Sequence, residues 1–205
     1  MREQLDLLFA FVPSSQADSP FIEWFSSTGR TALSRLTGSD NVAAFRTTKG
    51  YEGFNVLVRA RIDPLDSGLI EATRQILEPV CDGMSAERAQ IRLFRLAAAF
   101  TGASASEPVK VIFVVGRAAG GIPLEEFRVW YDDDHMGGLA TVPGIVSATR
   151  YEAINDPTHS LAVYEVSNPN VMSTSAWKDV SKTVWTRRVR SRYVKWLDFT
   201  SEPIG

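Results

Sequence analysis

The second half of this chain repeats the first, and that repetition constrains its fold more than any other feature. At an offset of 106 residues Phe21 falls on Phe127, Trp24 on Trp130, Phe25 on Tyr131, Leu33 on Leu139 and Gly38 on Gly144. At 104, Val42 falls on Val146 and Arg46 on Arg150. At 105, Val56 and Val58 fall on Leu161 and Val163. At 103, residues 91–96 fall on residues 194–199. The offset drifts by three residues across the unit, as small loop insertions produce. Any two amphipathic segments align somewhere, but six elements in the same order, with a shared Trp and shared Gly stops, indicate duplication.

Each copy reads as β-α-β-β-α-β. In the first, residues 5–12 are a strand. Residues 20–36 are a helix, with Ser19 placed as N-cap, Pro20 at the first helical position and Gly38 just beyond the end. Residues 42–47 and 54–62 are strands on either side of a turn at Lys49–Gly53. Residues 67–80 are a helix whose Leu69, Thr73, Ile76, Leu77 and Val80 share a face, and residues 90–97 are the closing strand. The second copy places strands at 109–116, 145–154, 160–167 and 193–200, and helices at 124–141 and 171–191. The sequence therefore divides into repeats over residues 1–101 and 109–205, joined by a small, polar linker at 102–108.

Such a unit makes a four-stranded antiparallel sheet with both helices on one face, and the other face needs an apolar cover. A second sheet supplies it. The expected fold class is α+β: two tandem ferredoxin-like units whose sheets pack into an α+β barrel. The run VKVIFVV, apolar on both faces, suits a strand covered on both sides.

Composition narrows the rest. No run of 18 apolar residues is present, so no membrane span is expected. The formal charge of −2 gives no general attraction to nucleic acid. The N-terminus lacks a signal-like apolar stretch, and a single cysteine, Cys81, rules out an intrachain disulfide, so a cytoplasmic location is expected.

The stretch Phe127-Arg128-Val129-Trp130-Tyr131-Asp132-Asp133-Asp134-His135-Met136-Gly137-Gly138-Leu139, then Val142-Pro143-Gly144-Ile145 and Arg150-Tyr151, resembles the EthD-like branch of the dimeric α+β barrel superfamily. The resemblance covers the second hundred residues directly and the first hundred only through the repeat. It implies the barrel fold and a small-molecule site. It does not specify a reaction, because the superfamily hosts many chemistries.

Phe127, Tyr131, His135 and Leu139 are spaced by four and share one helix face. The histidine on that face is either a satisfied core residue or a group aimed into a cavity. The repeat favours the second reading, since the first copy has Phe25, Gly29 and Thr47 where the second has Tyr131, His135 and Tyr151. His135, Tyr151 and Tyr131 are the candidate catalytic residues, with His135 as general acid or base. Candidate substrate-binding residues are Trp130, Phe113, Tyr164, Trp177 and Trp196; large aromatics either wall a site for a flat ligand or fill a core. Asp132-Asp133-Asp134 reads as a solvated helix face. Only Asp132 and His135 share a side there, too few for a metal, so no metal is expected; that the site works without a cofactor is what the resemblance implies. His159 reads as an exposed hairpin-loop residue. Arg187, Arg188, Arg190 and Arg192 read as complements to a helix dipole, and Gly116–Gly121 as a strand-to-helix turn.

Three functions compete. One is a cofactor-independent lyase, isomerase or cyclase acting on a hydrophobic or aromatic carbonyl compound. The second is a non-catalytic protein that binds a hydrophobic ligand. The third, ranked last, is a haem protein, which related duplicated barrels exemplify. The expected partner is a small hydrophobic or aromatic molecule, with pairing of the tandem unit into a homodimer as a further expectation.

Overall fold

The computed structural model describes residues 5–13, 20–63, 68–81 and 89–204. The eight strands are β1 (Asp6–Pro13), β2 (Val42–Lys49), β3 (Gly53–Ala60), β4 (Gln90–Thr101), β5 (Val111–Ala118), β6 (Ile145–Ala153), β7 (Asp156–Val166) and β8 (Val194–Pro203). Their hydrogen-bonded order is β1-β3-β2-β8-β5-β7-β6-β4, with β4 pairing back onto β1. It contains the same local order twice, 4-1-3-2 and 8-5-7-6, so the duplication read from side chains recurs in hydrogen bonding. The chain forms two compact units, one of residues 1–95 with 201–205 and the other of residues 96–200.

In the first unit, helix α1 covers residues 20–37 and helix α2 spans Leu69–Leu77, followed by a 3₁₀ turn at Glu78–Val80. The expected N-cap, Ser19, lies outside the described residues. The glycine stop holds: Gly38 takes a left-handed φ of 66° and donates its N–H to Ser34, as an αL cap requires. Phe21 stacks on Phe54 at 4.3 Å and on Phe25 at 6.0 Å. Leu7 through Val12 are buried on both strand faces.

In the second unit, helix α3 covers residues 124–140. Val111 through Val114 are buried on both faces of β5, as their unbroken apolar run requires. The expected single helix over 171–191 is two helices, α4 (Ser175–Val180) and α5 (Val184–Arg190), preceded by a 3₁₀ turn at Val171–Ser173. The cause is capping. Thr174 accepts from the Trp177 N–H and Thr183 from the Thr186 N–H, so each threonine starts its own helix. The β6–β7 hairpin is also tighter than expected. β7 begins at Asp156, which puts His159 in the strand opposite Ala118, half-exposed and paired with Asp156 at 2.7 Å.

Both α1 and α3 contain a π-helical stretch at the same place in the repeat, Phe25–Gly29 and Trp130–Met136. Arg30 N–H bonds to Phe25 O, and Gly137 N–H bonds to Asp132 O. Such widened turns often accompany functional sites. Here the first copy has one without His or Tyr, so the π turn belongs to the repeat rather than to the site alone.

Segment 102–108 has linker composition but is fastened to the second unit. Gly102 N–H bonds to Val146 O, Ser104 N–H to Ile145 O, and the buried Ser104 hydroxyl accepts the Gly144 N–H. A Cβ on Gly102 would lie 2.1 Å from the Ile145 carbonyl oxygen, a backbone atom that cannot swing aside. Gly102→Ala is therefore expected to lower unfolding free energy by about 2 kcal/mol or more, read from urea unfolding. An unchanged midpoint would show that this junction yields easily.

Candidate functional site

A partly open cavity of about 430 Å³ lies in the second unit, lined by Phe113, Val115 and Arg117 of β5, His135 and Leu139 of α3, Tyr164 of β7, and residues of the 171–200 segment that include Met172, Trp177, Arg190 and Tyr193. Of the residues expected from sequence, His135, Phe113, Tyr164 and Trp177 line it.

His135 is 6% exposed. Its ring stacks on Trp130 at 5.0 Å and meets Tyr131 edge-on at 5.7 Å. Trp130 is fixed in turn: its indole N–H donates to the Thr186 hydroxyl at 3.1 Å, and Thr186 and Thr183 both donate to Asp134 Oδ2, at 3.2 and 2.6 Å. The cap that starts α5 thereby holds the indole that backs the imidazole. Trp130 acts from behind His135 instead of forming the cavity wall.

Tyr131 is fully buried behind Arg117, which donates a hydrogen bond to its hydroxyl. Tyr151 is elsewhere. A β-bulge at Val146 breaks the alternation of β6. Counting by twos from Ile145, which faces the helices, would bring Tyr151 to the helix side. After the bulge the helix-facing positions are Ala148 and Arg150, and Tyr151 turns to the opposite face. Trp196 also misses the cavity. It lies over Gly116, 5.9 Å from the His159 ring, whereas the cavity touches Phe113, Val115 and Arg117, the alternate residues of β5.

The aspartates have structural work. Asp132 holds Arg150 through two 2.6 Å contacts, Asp134 clamps α5 as described, and Asp133 is exposed. Among the described residues no cluster of His, Cys, Asp or Glu is suited to a metal. Arg188 and Arg192 reach Glu126, while Arg190 lines the cavity.

Arg117 is the residue that the sequence reading missed, since the glycines around it suggested only a turn. It extends β5 and lines the cavity, with its guanidinium 5.2 Å from the Tyr131 ring and 5.3 Å from the Tyr193 ring. Burial works against its charge, but the phenol oxygens of Tyr131, Tyr164 and Tyr193 outweigh that effect and raise its pKa, so it remains a cation. Burial pushes the phenols of Tyr131 and Tyr164 up, and the nearby Arg117 only partly offsets this, so both are neutral. Burial first, then the charges of Arg117 and Arg190, holds His135 well below the ordinary histidine range, so its imidazole is neutral at physiological pH.

Three buried polar atoms around this cavity have no hydrogen-bond partner: His135 Nδ1, Arg117 Nε and the Tyr164 hydroxyl. Leaving one such group unsatisfied costs about 1–3 kcal/mol. All three belong to residues that line the cavity.

No protein-family model matches the chain, and no curated protein matches it. Solved structures share its fold. A Lactobacillus acidophilus protein named as a monooxygenase superposes with a TM-score of 0.63 at 8% identity, over 99% of this chain and 95% of that one. An anthrone oxidase-like protein gives 0.56 at 10% identity, over 100% and 92%. A Listeria monocytogenes ferredoxin-fold protein related to antibiotic biosynthesis monooxygenases gives 0.53 at 9%, over 98% and 95%. At these identities the likeness establishes the ferredoxin-like α+β barrel fold. No helix among the described residues is long and apolar enough to cross a membrane.

Beside the cavity, Arg150 bonds to Asp132 and Glu152, and Arg128 holds Glu152 through two 2.8 Å contacts. Burial alone would raise the Glu152 pKa, but hydrogen bonds from Arg128 and Arg150 outweigh it and hold it below the ordinary glutamate range. A carboxylate with a depressed folded pKa adds stability above its unfolded pKa and loses it as pH falls through the folded value. Unfolding free energy is expected to drop as pH is taken below about 4.5, and Glu152→Gln is expected to flatten part of that slope. An identical slope in the variant would remove Glu152 from the acid response.

Proposed function

We propose that the protein is a small-molecule enzyme that moves a proton on a hydrophobic or aromatic carbonyl compound without a cofactor, with His135 as the base. The observation that carries this reading is the neutral, buried imidazole, unpaired at Nδ1, beside a cavity whose apolar lining includes Phe113, Val115, Leu139 and Trp177. His135 takes a proton from the carbon next to the carbonyl, and the resulting enolate oxygen lies against Arg117. Return of the proton to another carbon gives isomerisation, and loss of a leaving group from the neighbouring carbon gives a lyase outcome. Attack of the enolate carbon on a second carbonyl of the same molecule, with the proton on His135 passing to the new alkoxide, gives a cyclase outcome. A buried histidine of low basicity is a poor base for forming a free enolate in water. It serves here because imidazolium and enolate form together, each offsetting the other's charge, and because Arg117 adds to the stabilisation of the anion.

Tyr131 and Trp130 are positioning residues in this proposal, Tyr131 for Arg117 and Trp130 for His135. Phe113, Tyr164 and Trp177 bind the ring system. We assign the chain to the EthD-like branch on the 127–151 motif, and place it in the cytoplasm on its cysteine usage. The alternative is a binding protein, favoured by the same low basicity of His135: a weak base is also a well-behaved neutral hydrogen-bond partner.

Deuterium uptake beside the carbonyl of 2-tetralone, followed by NMR in D2O, tests the proposal without the natural substrate. The wild-type protein is expected to accelerate uptake, with an acid limb well under pH 6.5, because only the neutral imidazole accepts a proton. His135→Gln is expected to cost about 10²-fold or more and to lose that limb. Bound tetralone with no acceleration would make the protein a binding module, and a Soret band from the purified protein would point to haem.

A further inference from the structure

Two arginines, Arg150 buried and Arg117 half-buried, flank the same tyrosine ring and are treated in opposite ways. Arg150, 5.7 Å from the Tyr131 ring, has two carboxylates, Asp132 at 2.6 Å and Glu152 at 2.7 Å. Arg117, 5.2 Å from the same ring, forms no ion pair among the described residues. Its polar neighbours are phenols, which polarise toward a cation but do not cancel its charge. Its Nε is shut off from solvent without a hydrogen-bond partner, and the Tyr164 hydroxyl nearby is likewise unpartnered. The rest of the lining adds one unmatched positive charge: Arg190 makes no ion pair among the described residues, whereas Lys195 is matched by Asp198, also in the lining, at 2.7 Å.

The first copy of the repeat supports the same conclusion. At offsets of 105 and 106, the positions matching Arg117 are Val12 and Phe11, both buried and apolar. The fold therefore does not need a cation there. In the copy that carries one, the charge is left open toward a cavity, next to Phe113, Tyr164 and Trp177, whose rings meet edge to face at 6.3 and 6.0 Å.

We infer that the missing counter-charge comes from the ligand: the site takes a flat aromatic compound bound through an anionic oxygen, seated on Arg117 with the Tyr164 hydroxyl as a second donor. This rests on the proposed function for its catalytic meaning, but not for its binding chemistry. The anion has two sources, a carboxylate carried in with the ligand, or a phenol or enol oxygen that gives up its proton in the site. In the second case the O–H bond breaks, the proton passes to His135 or to water, and the electron pair stays on the oxygen beside Arg117.

Calorimetric binding of 2-naphthoate against its neutral isostere 2-naphthamide tests the inference, with a 2-naphthol arm read by the absorbance of bound naphtholate. Wild-type protein is expected to bind naphthoate at least about tenfold more tightly than naphthamide, or to bind 2-naphthol as the naphtholate well below its solution pKa. The first outcome identifies a carboxylate and the second a phenol or enol. Arg117→Gln is expected to abolish either signature and Arg117→Lys to retain part of it, which separates lost charge from lost fold. Tyr164→Phe is expected to weaken both probes and keep the preference for the anion. Naphthamide bound as tightly as naphthoate, together with naphthol bound neutral, would overturn the inference, as would an anion preference that survives in Arg117→Gln. A tetralone exchange that fails while this preference persists would remove the proposed reaction and leave the anion site standing.

Discussion

The site depends on how the start of one short helix is tied to the middle of another. Thr183 caps α5 and, with Thr186, donates to Asp134 on α3. Thr186 in turn accepts the Trp130 indole N–H, and that indole is the surface on which His135 lies. A helix of seven residues has little stability of its own in water, so α5 holds its place through this clamp and through the buried Val189. The imidazole is therefore positioned from behind and leaves its own Nδ1 unpaired.

Charge is distributed around the site in two different ways. Arg150, Asp132, Glu152 and Arg128 form a closed network, in which the desolvation of each ion is offset by a near partner. Arg117 has only aromatic and phenolic company, and cation–π contacts contribute about 0.5–2 kcal/mol each against a desolvation cost of several kcal/mol. Its partial access to the cavity reduces that cost without removing it. The same charge lowers the basicity of His135. A neutral imidazole, a cation and neutral phenols thus come from one electrostatic arrangement, and an anion entering it would reverse much of the penalty.

The duplication provides a comparison inside one chain. Gly29 occupies the position of His135, and a Cβ there would lie 2.5 Å from the Trp24 ring, so in the first unit the indole lies down where the second unit holds a histidine against Trp130. The first helix of each unit (α1 and α3), its π turn and the left-handed glycines at 38 and 144 are otherwise repeated. Losing the polar set costs the first unit none of its architecture. In the second unit, then, that set is available for work other than folding.

The sequence by itself determined what short-range periodicity encodes: the repeat, all eight strands, helix α3 with His135 on its buried face, the glycine stops, and the aromatic character of Phe113, Tyr164 and Trp177. The repeat follows from matches 103–106 residues apart; the other features follow from spacing within a dozen residues, where the 3.6 and 2.0 periods act. Tertiary structure decided the rest. One extra residue at Val146 turned Tyr151 away and brought Arg150 inward. A threonine cap split the expected last helix into two. Arg117, which looked like part of a turn, became the charge at the centre of the cavity. Strand parity after a bulge, and the presence or absence of a counter-ion for a half-buried cation, depend on residues distant in the chain, and no local pattern records them.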